Sequence, residues 1–187
     1  FCSGYTGEDG FELATNSDDA LELAQLLLDQ PEVEPTGLGA RDSLRLEAGL
    51  CLHGNDIHPN ITPVVAGLSW AIPASRRKGG SRSGGFLGSE SILLELENCP
   101  SVTRVGIQPE GRAPVRAHSE IVIPTGESIG EVSSGSYGPT VGRPIAMGYV
   151  KSTYSDLGTE LQAMVRGKPL SVKVCPLPFV QHNYNRH

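Results

Sequence analysis

Four residues in the first part of the chain have side chains that together could bind a flat polar heterocycle. They are Tyr5, Glu12, Arg41 and Trp70. A carboxylate accepts hydrogen bonds from paired N–H groups, a guanidinium supplies a fixed cation, and two aromatic rings offer faces for stacking. Sequence spacing alone does not bring them together. The alternative is a surface ion pair between Glu12 and Arg41, with Trp70 in the core.

Other common catalytic and cofactor-binding motifs are absent from the sequence. It contains no GxSxG nucleophile motif, and we interpret the serines at 133–136 as a strand end or turn. The glycines at 37 and 39 lack the third glycine of a dinucleotide-binding GxGxxG motif. The glycine-rich stretch 75–88 lacks the GxxxxGK[ST] order of a phosphate-binding loop. These patterns predict neither covalent catalysis nor NAD binding.

The sequence also gives little support for a metal site. His53, Asp56 and His58 lie close together, but Gly and Pro-Asn pairs flank them, which is typical of a turn, so we interpret this segment as a loop. The four cysteines show no CxxC spacing, which predicts neither a zinc site nor a dense disulfide framework. We therefore expect no bound metal.

Charge and composition exclude two classes of partner and favour β structure. The chain has 15 Lys plus Arg against 21 Asp plus Glu, a formal net charge of -6, so it offers no basic field for nucleic acid or an anionic membrane. No apolar run reaches the roughly 18 residues that cross a bilayer. Its 23 Gly and 14 Pro indicate many turns between short elements.

Two helices and two short strands are predicted in the first 74 residues. One helix begins at Ser17 and ends before Pro31. The other spans about residues 40–48, with Gly49 as the residue after its C-terminus and Arg41 and Arg45 on one side. Strands are expected at residues 11–13 and 68–72.

A change of pattern after residue 74 predicts a second unit. Residues 75–88 are basic and rich in Gly and Ser, so we interpret them as a linker between residues 1–74 and 89–187. Six short apolar runs then follow, which predict a small sandwich or barrel. They are 104–107, 120–123, 128–132, 145–150, 160–165 and 170–174. The predicted fold class is α+β, mainly antiparallel β.

Several segments of the chain carry a family resemblance. They are YTGEDGFE from Tyr5, ARDSLRLEAGLCLHGNDI from Ala40, TPVVAGLSW from Thr62, APVRAH from Ala113, AMGYV from Ala146 and PFV from Pro178. In this order they closely resemble the aminomethyltransferase (T-protein) family of the glycine cleavage system. Because the segments span almost the entire chain, the resemblance is far more specific than any single short motif.

The resemblance implies a transferase of glycine catabolism. Such an enzyme takes the aminomethyl group from the lipoyl arm of H-protein, transfers its one-carbon unit to tetrahydrofolate to give 5,10-methylenetetrahydrofolate, and releases ammonia. Tetrahydrofolate is the co-substrate and H-protein the partner. The implied location is the mitochondrial matrix, or the cytoplasm if the source is bacterial.

The resemblance also implies which residues face the folate. Glu12 is expected to contact the pterin, Arg41 to face the ligand site, and Tyr5 and Trp70 to line the folate cavity. Tyr184 matches a family tyrosine that reaches the same cavity, with Arg186 as an equally suitable contact. The match at Tyr184 is weaker because the tail around it diverges from the family.

The family's catalytic aspartate has no counterpart among the acidic residues of this chain. The resemblance places it upstream of Phe1, so we expect the chain to be the later part of a longer enzyme and incomplete for catalysis by itself. The family fold is a three-domain cloverleaf around a folate hole. Residues 1–74 would supply later segments of its first two domains, and residues 89–187 a C-terminal barrel or jelly-roll-like domain.

Two alternatives share this fold. One is the folate-binding C-terminal region of a dimethylglycine or sarcosine dehydrogenase, which lies behind a flavin domain. The other is a folate-binding relative without transferase activity, such as the one that assists iron–sulphur assembly. The motif KGCYxGQE of that relative does not occur in this sequence.

Overall fold

A computed structural model of the protein describes residues 4–185 and confirms the predicted α+β class with a β-barrel. Its three α-helices all precede the six β-strands. The helices are α1 (Ala20–Leu28), α2 (Leu38–Glu47) and α3 (Ser89–Asn98). The strands are β1 (Val102–Pro109), β2 (Glu120–Val122), β3 (Ser128–Gly138), β4 (Arg143–Lys151), β5 (Glu160–Val165) and β6 (Lys168–Cys175).

The six strands close into an antiparallel barrel in the order β1-β4-β3-β2-β5-β6. Each apolar run predicted as a strand lies in or largely within one of them. Their side chains alternate between the barrel interior and its outside, as the strand period of two requires. The interior is filled by a cluster of buried residues: Val105, Ile107, Val115, Ile121, Ile129, Val132, Ala146, Val150, Leu161, Ala163, Val172 and Val174.

Helix α2 packs against the outside of this barrel. Leu46, at its end, is fully buried against Ile145 and Met147, which alternate along β4 with inward-facing Ala146. The buried carboxylate of Glu47 accepts hydrogen bonds from the backbone of Thr140 (2.7 Å) and Val141 at the β3–β4 turn. The predicted helix is thus confirmed, and the barrel fixes its orientation.

The two short strands predicted before residue 74 are wrong. Phe11 makes only an isolated bridge, and residues 12 and 13 have no regular secondary structure. Ser69–Ala71 instead form a 3-10 turn, which places Trp70 at the surface. The Arg77 guanidinium donates to the carbonyls of Ser69 (2.7 Å) and Ile72 (2.9 Å), and these bonds take the place of strand pairing.

Residues 75–88 are folded against their surroundings. The Arg76 guanidinium donates to the carbonyl of Gly84 at 2.9 Å, and Phe86 packs against Val64 and Ile92. Helix α3 then leads into β1. The domain boundary within 75–88 stays a prediction. In the described part of the chain, no helix is both long and apolar enough to cross a membrane.

Candidate functional site

Three of the four residues singled out for heterocycle binding line one cavity of about 400 Å³. Tyr5, Glu12 and Arg41 come from two segments far apart in sequence, the N-terminal turn and the start of α2. The remaining lining residues are Gly4, Thr6, Asp9, Gly10, Phe11, Thr36 and Leu44. The cavity therefore combines an aromatic ring, a guanidinium and carboxylates, groups that can hold a flat ligand with several polar atoms.

A hydrogen bond from its hydroxyl group fixes Tyr5 in the cavity wall. The hydroxyl donates to the backbone carbonyl of Cys51 at 2.6 Å, and the ring is half-buried. Burial raises the pKa of this phenol, and the nearby Arg45 guanidinium opposes that effect. The phenol therefore remains a protonated donor at neutral pH, and its ring has a fixed orientation.

Arg41 lies in the first turn of α2 with its guanidinium over the Tyr5 ring. The guanidinium carbon is 4.9 Å from the ring centroid, within the range of a cation–π contact. Glu12 lines the same cavity from the N-terminal segment and is exposed. The cavity thus contains both charge signs next to an aromatic face, so a ligand with N–H donors and an acidic tail would find partners there.

Trp70 and Tyr184 are placed differently from these three residues. Trp70 is 77% exposed in its 3-10 turn and does not line the cavity, so it is neither a core residue nor part of this wall. Tyr184 is half-buried, with its ring 5.1 Å from that of His182, and also lies outside the cavity lining. Arg186, the alternative contact, lies outside the described residues.

The C-terminal tail nevertheless holds the turn that forms one wall of the cavity. The backbone N–H of Asn183 donates to the carbonyl of Gly7 at 2.8 Å, and its side chain donates to the Glu8 carboxylate at 3.0 Å. The backbone N–H of Asn185 donates to Asp9, a cavity residue. Sequence reasoning missed this contact because it joins residues more than 170 positions apart.

A buried polar cluster centres on Asp56, which does not line the cavity. Its carboxylate is fully buried and accepts from the Arg45 guanidinium at 2.7 Å, from the backbone N–H of Leu52 at 2.8 Å, and from the hydroxyls of Ser133 (2.5 Å) and Ser134 (2.9 Å). Asp56 therefore forms a buried ion pair with Arg45 and has a structural role. The sequence placed Arg45 one helical turn after Arg41 and Asp56 beside His53 and His58, and neither pattern indicated that Arg45 and Asp56 are paired.

A β-bulge explains why two consecutive serines reach the same carboxylate. Neighbouring residues of a regular strand point to opposite faces. The register between β3 and β4 shifts between Val132 and Ser134, which leaves Ser133 as the extra residue and turns both hydroxyls towards Asp56. The interpretation of these serines as a strand end or turn was wrong, since they lie inside β3.

The remaining candidate groups show no further site. Within residues 4–185, no group of three or more His, Cys, Asp or Glu side chains is arranged to hold a metal ion. Burial raises the pKa of the Cys51 thiol, and it raises that of Cys175 to about 11, so neither is an activated nucleophile.

Two family models and several similar relatives all indicate the same protein family. The family model described as "GCVT N-terminal domain" matches residues 1–76, and "Glycine cleavage T-protein C-terminal barrel domain" matches residues 103–181. The mitochondrial aminomethyltransferase of Flaveria trinervia is 51% identical over 184 residues, which cover 97% of this chain and 44% of the relative. That of Dictyostelium discoideum is 44% identical over 192 residues, covering 98% of this chain and 46% of the relative.

A solved structure shares the fold as well as the sequence. The crystal structure of the glycine cleavage system aminomethyltransferase T from Bartonella henselae superposes with a TM-score of 0.90 at 47% identity, covering 98% of this chain and 50% of that one. The chain thus spans about half the length of the relatives it matches. It belongs to the glycine cleavage T-protein family, with a segment of the N-terminal domain followed by the C-terminal barrel domain.

Proposed function

We propose that this chain forms part of a tetrahydrofolate-dependent aminomethyltransferase of the glycine cleavage system. The enzyme would take the aminomethyl group from the lipoyl arm of H-protein, transfer the one-carbon unit to tetrahydrofolate and release ammonia. The names and the level of identity of the relatives support this reaction. The plant and Dictyostelium relatives are mitochondrial proteins, which supports the mitochondrial matrix as its location.

The observation that carries the proposal is the cavity where Tyr5, Glu12 and Arg41 meet. A pterin ring is flat, and its aminopyrimidinone half presents adjacent N–H groups. The Glu12 carboxylate matches those paired donors, whereas the Tyr5 ring and the Arg41 guanidinium offer faces for the ring system. A volume of about 400 Å³ lies within the usual range for small-ligand sites.

Trp70 and Tyr184 would add contacts from outside this cavity. Trp70 presents a largely exposed indole face. Tyr184 belongs to the tail that bonds to Gly7 and Asp9 next to the cavity. Both are proposed as folate contacts in the complete enzyme. No residue of this chain is proposed as the catalytic acid or base, because none matches the family's aspartate.

The test is a calorimetric titration of the protein with 5-formyltetrahydrofolate, a stable reduced folate. We expect saturable binding that is at least about tenfold weaker in Glu12→Gln, since a charge-assisted pair of hydrogen bonds is lost. Glu90→Gln is the matched control, because Glu90 is an exposed acid on α3, outside the cavity. Equal weakening in both variants would contradict the role of Glu12.

A further inference from the structure

We propose that Asp56 is a positioning residue for the cavity, and that it acts on Tyr5 through the backbone of residues 50–52. This inference rests on the proposed folate-binding function. Asp56 does not line the cavity and its carboxylate is fully buried, so it cannot contact a ligand there. Its effect would pass through hydrogen bonds to the chain segment on which Tyr5 rests.

The first step of this path is the set of hydrogen bonds between the Arg45–Asp56 ion pair and both neighbours of Cys51. The Arg45 guanidinium, 2.7 Å from the Asp56 carboxylate, donates with the same nitrogen to the carbonyl of Leu50 at 3.2 Å. On the other side, the backbone N–H of Leu52 donates to the Asp56 carboxylate at 2.8 Å. The peptide units on either side of Cys51 are therefore fixed by one buried pair.

The second step is the hydrogen bond between Cys51 and Tyr5. The Cys51 carbonyl accepts from the Tyr5 hydroxyl at 2.6 Å, and the guanidinium carbon of Arg41 lies 4.9 Å from the centroid of the Tyr5 ring. A shift of the Cys51 carbonyl would move the Tyr5 ring and, with it, Arg41. Two residues that line the cavity thus depend on the geometry of a carbonyl group that Asp56 and Arg45 hold in place.

The carboxylate is suited to this task in a way that an amide is not. Asp56 accepts four hydrogen bonds on two oxygens, from Arg45, Leu52, Ser133 and Ser134. An Asn side chain has one acceptor oxygen and an NH₂ group that would face donors. The variant Asp56→Asn would leave buried donors without acceptors, and the segment 50–52 would have to rearrange.

The same carboxylate also ties the segment to the barrel, through the serines of β3. A purely structural role would therefore lower stability without a specific effect on Tyr5. The two roles are separated by Ser133→Ala, which removes a bond from the barrel to one Asp56 oxygen and leaves the bonds of Arg45 to Leu50 and of the other Asp56 oxygen to Leu52. We expect Ser133→Ala to lower the free energy of unfolding but to keep the affinity for 5-formyltetrahydrofolate.

The decisive experiment is a double-mutant cycle between Asp56→Asn and Tyr5→Phe, with calorimetric titration of the full chain by 5-formyltetrahydrofolate. Tyr5→Phe removes only the hydroxyl that reaches Cys51. Each single variant should bind about tenfold more weakly, and the double variant should be little weaker than either, because both break the same path. Losses that multiply in the double variant, or unchanged affinity in Asp56→Asn, would overturn the proposal.

A second variant keeps the test decisive if Asp56→Asn does not fold. Arg45→Lys retains a cation beside Asp56 but cannot reach Asp56 and the Leu50 carbonyl together as a guanidinium does. It should show the same coupling to Tyr5→Phe, and independent effects would overturn the proposal. If the wild-type protein does not bind 5-formyltetrahydrofolate, the proposed function fails in this chain. If the wild type binds and the variants show independent effects, only the role of Asp56 fails.

Discussion

The guanidinium carbon of Arg41 lies 4.9 Å from the centroid of the Tyr5 ring, although 35 residues of chain separate the two. Both residues are linked to chain segments that pack on the barrel. Helix α2 is anchored to β4 by Leu46 and to the β3–β4 turn by Glu47, and Tyr5 is bonded to the segment that follows α2. The barrel therefore supports the candidate site, although no residue of strands β1–β6 lines the cavity.

Arg41→Ala should weaken the binding of 5-formyltetrahydrofolate by about three- to tenfold. The variant removes a cation and one face of the site, and a cation–π contact in a partly exposed position is worth about 1 kcal/mol. Calorimetric titration measures the change. Arg112→Ala is the control, because Arg112 is an exposed arginine outside the cavity lining. An Arg41→Ala variant that binds as tightly as the control would contradict the assignment.

Removal of residues 182–187 should loosen the N-terminal turn. This change deletes the bonds from Asn183 to Gly7 and Glu8, and from Asn185 to Asp9. We expect amide hydrogen exchange in residues 5–10 to become faster and folate affinity to fall, while exchange in β1 and β4 stays slow. Hydrogen exchange with mass spectrometry reads both regions in one sample, and unchanged exchange in residues 5–10 would contradict this account of the tail.

Ser133→Ala should destabilise the protein by about 1–3 kcal/mol, because one acceptor site of the buried Asp56 carboxylate loses its donor. Urea unfolding followed by circular dichroism measures the loss. Ser128→Ala, at the exposed start of β3, is the matched control and should change stability by less than about 0.5 kcal/mol. Equal stabilities of the two variants would show that the hydroxyl of Ser133 contributes little.

The free energy of unfolding should fall at alkaline pH because folding partly buries the thiols of Cys51 and Cys175. Burial raises the pKa of Cys175 from an ordinary 9.0 to about 11, and that of Cys51 also rises. Since the unfolded state then loses its protons first, the contribution to stability is complete below pH 9 and is lost as the pH rises towards 11. Urea unfolding at pH 8 and pH 10 should show a smaller drop in Cys175→Ala than in the wild type; an equal drop would exclude Cys175 as a source.

The barrel could be predicted from the sequence because each of its strands is recognisable from residues that are neighbours in the chain. Each strand is a short apolar run bounded by turn residues, and alternation along β4 places Ala146 inside and Ile145 and Met147 against α2. The short strand predicted around Trp70 failed because apolar residues next to Pro73 suit a 3-10 turn equally well, and Arg77 supplies its hydrogen bonds. Periodicity cannot decide such a short segment.

The candidate site was only partly accessible to sequence reasoning. The chemistry of Tyr5, Glu12 and Arg41 was visible in their residue types, but their convergence depends on how α2 sits on the barrel. Asp56 was considered only beside its sequence neighbours His53 and His58. Its actual partners include serines more than 75 positions away, which a β-bulge turns towards it.

A crystal structure of the protein with 5-formyltetrahydrofolate bound would show directly where the pterin ring lies. We expect the pterin ring to occupy the cavity next to Tyr5 and Arg41, with its paired N–H groups about 3 Å from the Glu12 carboxylate. A pterin bound elsewhere on the protein, with this cavity still empty, would contradict the assignment of the site.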